Sequence, residues 1–434
     1  GARMNLDPFR DARFTPWWWE WAPRETRTKE NLPKRAEIAI VGSGFTGLVA
    51  ALQLARAGRD VVVLEADTVG YGASSRNGGQ VGSGNQRFTV AKLIELYGKD
   101  QAQALLQEGI SALSYIKAMI GAEDIQCHYR EAGRFRGASR PKHYDNLARD
   151  MDDLHTFAGV ESYMVPQAEL GSEIGSGLYY GGAVLPGDAS LHPALYHSGL
   201  LDRAESAGVR VFSHARVEDV QDRGQKLQIT SARGVLSADK VLIATNGYSD
   251  RSIPYFYRRV VPVASAIIAT TELSPDLMTR LMPKKRVCGD TRRVHHYYQS
   301  SPDGLRVLMG GRLAGRADTT RPQKFVHLYR HMLEIFPELA GVGISHAWSG
   351  YVGYTRDALP HINKQGRIYS AIGYCGSGVA RASYAGYKVA QQMLESPGSE
   401  TAWDKLVFKT MPFRSFARTG VRIVTQWKRA RDLL

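Results

Sequence analysis

At 434 residues, 43% hydrophobic and 23% charged, the chain has material for roughly two or three domains and none of the bias of a disordered or fibrous protein. Its formal charge of +14 is dispersed and no nucleic-acid module accompanies it, which argues against a nucleic-acid partner. An anionic substrate, an anionic membrane surface or a plainly basic exterior remains. Cys127, Cys288 and Cys375 are far apart and form no C-x-x-C, so neither a disulfide frame nor a metal site is expected, and the usage fits a reducing, cytoplasmic compartment. The longest apolar run, Val260 to Ala269, is too short to cross a bilayer and contains Pro262. The N-terminus is polar and then tryptophan-rich, unlike a signal peptide.

Residues 1–36 form a lead containing Pro16-Trp17-Trp18-Trp19-Glu20-Trp21-Ala22-Pro23. Tryptophans this dense pack on something, either the protein's own surface or, as a lid or partner contact, near an active site. The apolar run Ile38 to Val41 then meets Gly42-Ser43-Gly44-Phe45-Thr46-Gly47. A helix is predicted from Leu48 to Ala57 with Gly58 as its stop, and Asp60 to Leu64 reads as a buried parallel strand. Gly42 permits the tight turn, Gly44 leaves room for a pyrophosphate, and Gly47 allows close helix–strand packing. The helix N-terminus offers unpaired N–H groups to phosphate. Glu65, 23 residues after Gly42, and Ala66 end the second strand, with the carboxylate placed for ribose hydroxyls. The order predicts a dinucleotide site.

A second glycine-rich loop follows, Gly70 to Gln80, containing Ala73-Ser74-Ser75-Arg76-Asn77-Gly78-Gly79-Gln80. Such a loop brings backbone close to a large flat ring, which suits FAD better than NAD, and no second GxGxxG for NADPH occurs later. Residues 91–185 begin with helices whose apolar faces are marked by Leu93, Leu96, Leu105, Leu106 and Ile110. Residues 251–345 alternate like strands, as in Val260-Val261-Pro262-Val263 and Arg306-Val307-Leu308-Met309. In the tail, 396–434, eight Lys or Arg face three acids, and Val421, Val424 and Trp427 fall at helical spacing beside Arg422, Lys428, Arg429 and Arg431. That helix either packs on its own domain or makes a peripheral membrane contact, the first being favoured.

The pairing of V-G-S-G-F-T-G-L with G-A-S-S-R-N-G-G-Q resembles the D-amino-acid-oxidase-type FAD oxidoreductases, most nearly the gamma-glutamylputrescine oxidoreductase group. The resemblance extends over most of the chain. It implies that V-R-V-F-S-H-A-R-V-E-D-V and V-L-I-A-T-N-G form the second FAD segment, with Val217 at the adenine and Thr245-Asn246-Gly247 closing over the nucleotide. It implies that V-L-M-G-G-R (307–312) is a strand near the flavin, and that W-S-G-Y-V-G-Y-T-R-D-A-L-P-H-I with G-Y-C-G-S-G-V (348–379) lies along the isoalloxazine. Some members tether the flavin through a cysteine just upstream of the threonine-x-aspartate motif. Here Gly350 to Tyr354 precede Thr355 and Asp357 without one, so non-covalent FAD is expected.

The implied fold is α/β: a discontinuous Rossmann-like FAD domain (37–90, 186–250, 346–395) and an α+β substrate domain built on an antiparallel sheet (91–185, 251–345). Gly376-Ser377-Gly378-Val379 should place the N-terminus of a helix, Ala380 to Leu394, at the flavin edge where negative charge develops. In Arg292-Arg293-Val294-His295-His296-Tyr297-Tyr298, alternate residues share a face, and His296 and Tyr298 are assigned to the pocket. Arg312 is expected to bind a substrate carboxylate or brace the FAD domain, and Trp348 to wall the pocket. The resemblance implies oxidation of a C–N bond in an amine or amino acid with O2 reduced to H2O2, and the basic charge suits an anionic substrate. A dehydrogenase feeding a membrane quinone or carrier protein, and a flavin-binding subunit without turnover, are the alternatives.

Overall fold

The computed structural model describes residues 4–412. The basic helix expected at 421–434 lies outside them. One eight-stranded sheet carries the motif-bearing strands in the order His361–Gln365, Ile368–Ile372, Gly234–Ile243, Arg35–Val41, Val61–Leu64 and Arg210–Phe212. The last five are parallel. The hairpin Val217–Asp222 and Leu227–Ser231 extends it from the flank of Gly234–Ile243. Strand Val61–Leu64 is buried throughout, as a parallel strand covered on both faces must be.

Between Arg35–Val41 and Val61–Leu64 runs the helix Phe45–Arg56, three residues earlier at its start than the composition suggests. A Cβ on Gly47 would lie 2.1 Å from the Gly42 carbonyl oxygen, so only glycine lets the helix sit this close to the turn. The helix packs on Gly378–Met393, where a Cβ on Gly386 would lie 2.5 Å from the Thr46 carbonyl oxygen. Thr46 Oγ1 also donates to the Ala382 carbonyl at 2.9 Å and shares a hydrogen bond with the Tyr374 hydroxyl at 2.6 Å.

The second eight-stranded sheet runs Ile344–Tyr354, Val261–Thr270, Val307–Arg312, Tyr297–Ser300, Val287–Asp290, Arg134–Gly137, Gly181–Leu185, Tyr163–Pro166. It is antiparallel except where Val287–Asp290 pairs with Arg134–Gly137. Two boundaries differ from the sequence expectation. Strand Ile344–Tyr354, assigned from residue 346 to the FAD domain, instead pairs along Val261–Thr270 from Ile344 to Tyr354. The long strand of the first sheet, Gly234–Ile243, already has its edges taken by other strands, whereas Val261–Thr270 offers a free edge along its whole length. Helix Lys99–Ala122, assigned to the substrate domain, buries Leu105, Ala112 and Ile116 in the core of the first sheet, against the helices of the dinucleotide motif. Leu96, expected on an apolar face, is exposed.

One face of the second sheet is covered by helix Val326–Ile335; Val307, Met309 and Tyr298 join its Leu328, Met332 and Ile335 in one core. The other face looks toward the first sheet. There Ile267, Ala269, Leu308 and Trp348 are covered by Trp17 and Trp18. The tryptophan lead is thus a wedge between the two sheets rather than a surface clasp. Trp18 Nε1 donates to the Asn77 carbonyl at 2.8 Å and Trp19 Nε1 to the Ser75 carbonyl at 3.2 Å, so the wedge also holds the second glycine loop.

Candidate functional site

Beyond the wedge the two sheets diverge around a cavity of about 830 Å³. The nucleotide end is built from strand termini. Gly42 to Thr46, Glu65, Ala66, Val217, Thr245 and Asn246 line it. Glu65 is held in place by Ser43, whose hydroxyl donates to Oε1 at 2.6 Å, and by the Asp67 amide, which donates to Oε2 at 3.0 Å. The Ser43 amide also donates to Oε1 at 3.4 Å, which leaves Oε2 with a further lone pair for a ribose hydroxyl. The first-turn amides of Phe45–Arg56 have no carbonyl behind them, and Ser74 Oγ accepts only that of Phe45, at 2.9 Å. A cradle of helix amides with a fixed acid beside it fits the pyrophosphate and ribose of a dinucleotide.

The middle is formed by Ala73, Ser74, Arg76, Asn77, Gly78 and Gln80 on one wall and Gly376, Ser377, Gly378 and Val379 on another. Cys375 (φ +56) and Gly376 (φ +90) are consecutive left-handed residues, a costly turn for the cysteine. That turn delivers the N-terminus of Gly378–Met393, without a side-chain cap, to the cavity. Arg76 is 6% exposed, donates to the Tyr71 and Ser349 carbonyls, and lies 4.4 Å from the centre of the Tyr71 ring. Four expected cofactor residues support this wall from behind instead of lining it. Gly47 and Gly79 pack against backbone, Ser75 hydrogen-bonds Gly70 and Trp19, and Gly247 lies against the backbone of Tyr351 to Gly353.

The far end is the second sheet. Its pairing aligns Arg136, Gly289, Tyr297, Gly310, Ile267 and Trp348 in one row across six strands. Residues two apart along a strand share a face, so Arg312 belongs to the same face as Gly310, and Trp348 to that of Gly350, Val352 and Tyr354. This is the cavity face. Tyr297 therefore projects into the cavity and Tyr298 does not, which corrects the sequence assignment. The Tyr297 ring fills the space that side chains at Gly78 and Gly310 would take, with closest approaches of 2.8 and 2.2 Å to their hypothetical Cβ atoms.

Tyr298 is instead 1% exposed in the opposite core, sharing a 2.8 Å hydrogen bond with the Tyr179 hydroxyl. His296 is also 1% exposed, with Nδ1 2.9 Å from the Val294 carbonyl and its ring 3.9 Å from that of His331. His295 lines the cavity in its place. Its side chain is exposed to the open cavity, and the surrounding protein, with Arg312 and Arg136, lowers the His295 imidazole, so it is neutral at pH 7. Arg312 and Trp348 also line the cavity. Trp348 Nε1 donates to the Arg76 carbonyl at 2.8 Å, and Arg312 Nη2 donates to the Tyr354 hydroxyl. Arg87, Arg136, Tyr248 and Tyr354 were not anticipated. The alternation Arg134-Phe135-Arg136 carried a signal for one of them.

The chain matches the family described as "DAO: FAD dependent oxidoreductase" over residues 37–392. It is 34% identical to a protein of Rhizobium meliloti (strain 1021) described as probable oxidoreductase OrdL, across 86% of each chain. It is 30% identical to gamma-glutamylputrescine oxidoreductase of Escherichia coli (strain K12), covering 82% of this chain and 83% of that one. The solved structure of glycine oxidase from Geobacillus kaustophilus superposes with a TM-score of 0.75 at 20% identity, over 87% of this chain and 99% of that one. With the glycine turns, the fixed Glu65 and the two-sheet architecture meeting at one cavity, the chain belongs to the DAO family of FAD-dependent oxidoreductases.

Proposed function

We propose that this FAD enzyme oxidises the C–N bond of an amine or amino acid bound between Tyr297 and the glycine loops, yielding an imine that water hydrolyses. The observation that carries this reading is the far end of the cavity: a neutral imidazole, an aromatic floor and an arginine without a carboxylate, opposite the helix N-terminus at Gly378. Bound FAD supplies the hydride acceptor. Gly42 to Thr46, Glu65 and Val217 would hold its nucleotide half. Ala73 to Gly78, Thr245, Asn246 and Gly376 to Val379 would hold the rest.

The side chains have separable tasks. Arg312, oriented by Tyr354, binds the carboxylate of an amino-acid substrate. Neutral His295 accepts a hydrogen bond from the substrate N–H, favouring the free amine whose lone pair assists loss of the α-hydrogen. Tyr297 and Trp348 exclude water and orient the reacting carbon. The helix N-terminus at Gly378 stabilises negative charge as the reaction proceeds.

The Cys375 thiol is pushed upward by burial and donates to the Gly373 carbonyl at 3.2 Å. It is a poor nucleophile there, which supports non-covalent FAD. Acid precipitation should leave a colourless pellet; yellow protein would refute this. Relatives named for amine or amino-acid chemistry, gamma-glutamylputrescine oxidoreductase and glycine oxidase, support the donor class. We take molecular oxygen as the acceptor, giving hydrogen peroxide, and the cytoplasm as the compartment. Among the described residues no helix is long and apolar enough to cross a membrane. Anaerobic bleaching of the bound flavin by amines and amino acids tests the donor half. Peroxide release in air tests the acceptor half, and bleaching without peroxide would favour a quinone or carrier acceptor.

A further inference from the structure

The charges on the cavity wall do not cancel. Asp188 is paired with Arg134 at 2.7 Å, Asp290 with Arg292 at 2.8 Å and Asp250 with Arg216 at 2.9 Å. Glu65 and Asp67 stand at the nucleotide end. Arg87, Arg136 and Arg312 also line the cavity, and among the described residues none of them has a carboxylate within ion-pair distance. Burial lowers the Arg136 guanidinium, as it does a cation partly desolvated beside the cavity, and a cavity lined by these three arginines suits anions.

These cations form two stations. Arg87 and Arg312 lie 4.8 and 4.7 Å from the centre of the Tyr354 ring, and both hydrogen-bond its hydroxyl. Arg136 is elsewhere. It shares the row of Tyr297, but on a strand three positions from that of Arg312. At the usual spacing of sheet strands the two backbones are about 14 Å apart, with the Tyr297 ring between them. Among the described residues its guanidinium has no hydrogen-bond or ion-pair partner. His295 feels both Arg312 and Arg136, so both stations reach the space around the reacting centre.

Resting on the proposed amine oxidation, we propose that the substrate is an amine bearing two carboxylates. One carboxylate, beside the carbon being oxidised, lies on Arg312 and Arg87; the other, beyond the nitrogen, lies on Arg136. N-(carboxyalkyl) amino acids have this form. Simple diamines fit worse, because their second ammonium would meet the Arg136 guanidinium while the nearby Asp290 is already held by Arg292.

The test uses the FAD-loaded protein at low salt and matched pairs of ligands. One series is HO2C–CH2–NH–(CH2)n–CO2H against N-alkylglycines of equal length. The other is the corresponding thioethers, which have no nitrogen to oxidise and report binding only, through perturbation of the flavin spectrum. At the best chain length, the dicarboxylate should bind about tenfold to a hundredfold more tightly than its monocarboxylate partner in both series. Arg136→Gln should bring that ratio close to one, and Arg136→Lys should restore part of it. Arg312→Gln should weaken both members of each pair. A wild-type ratio near one at every chain length, or a ratio that Arg136→Gln leaves intact, overturns the proposal. If the thioethers show the ratio while no amine bleaches the flavin, the two stations stand and the amine reading falls.

Discussion

Two adjacent tyrosines divide the labour of the second sheet. Tyr297 stands over the cavity, wedged between Gly78 and Gly310, while Tyr298 shares a hydrogen bond with Tyr179 on the far side. Their phenylalanine variants should separate cleanly. Tyr298→Phe removes one buried hydrogen bond and should cost about 1 kcal/mol in denaturant unfolding, with flavin bleaching within about twofold of wild type. Tyr297→Phe should be close to wild type in stability and change substrate KM or the bleaching rate. The reverse pattern would mean that the cavity face is misassigned. Alternation along 292–298 showed that neighbours oppose one another, but not which set faces in. That depends on register against Val307–Arg312, a contact no local pattern specifies. Had Gly310 been set opposite Tyr297, the choice of Arg312 as a pocket residue would have carried Tyr297 with it.

At the scale of elements, the dinucleotide motif was legible because its parts are close in sequence: strand, turn, helix and acid fall within about thirty residues. The extent of strand Ile344–Tyr354 and the allegiance of helix Lys99–Ala122 were not, since both are decided by partners distant in the chain. The tryptophan lead occupied a middle ground. Its density announced burial, yet only the fold shows that it supports the glycine loop from beneath. Trp18→Phe and Trp19→Phe each remove an indole N–H and leave a loop carbonyl unpaired, at about 1 kcal/mol apiece. FAD affinity, measured by fluorescence titration of the apoprotein, should fall about fivefold for each and further for both; unchanged affinity would make the lead a packing element only. Gly47→Ala should be harsher. Its methyl meets the Gly42 carbonyl, and the variant should be isolated largely without flavin.

Across the whole molecule, buried histidines tie stability to pH. Burial holds His192 and His197 down to about 3, with Arg24 adding to the effect at both and His128 at His192. In the unfolded chain each would titrate near 6.5. The stability they contribute is therefore complete above about pH 6.5 and is lost as pH falls toward 3, because the unfolded state takes up protons that the native state refuses. Each group can contribute a slope of up to about 1.4 kcal/mol per pH unit in that window. Urea midpoints of the FAD-loaded protein should hold from pH 7.5 to about 6.5 and then drop toward pH 5, and His192→Phe should flatten that drop. A flat profile in the wild type would remove this account. His295, neutral over the same range, should add no ionisation to the rate profile between pH 5 and 8.

The contact between Thr46 and Tyr374 joins residues 328 apart in the chain. During synthesis the glycine turn, the acid and the second strand emerge about three hundred residues before the helix that completes their surroundings. A nascent chain stopped before Tyr374 has the phosphate cradle but lacks the wall of Gly376 to Val379. Cofactor loading thus reports that this wall has been made, and chains truncated before it should leave the ribosome colourless.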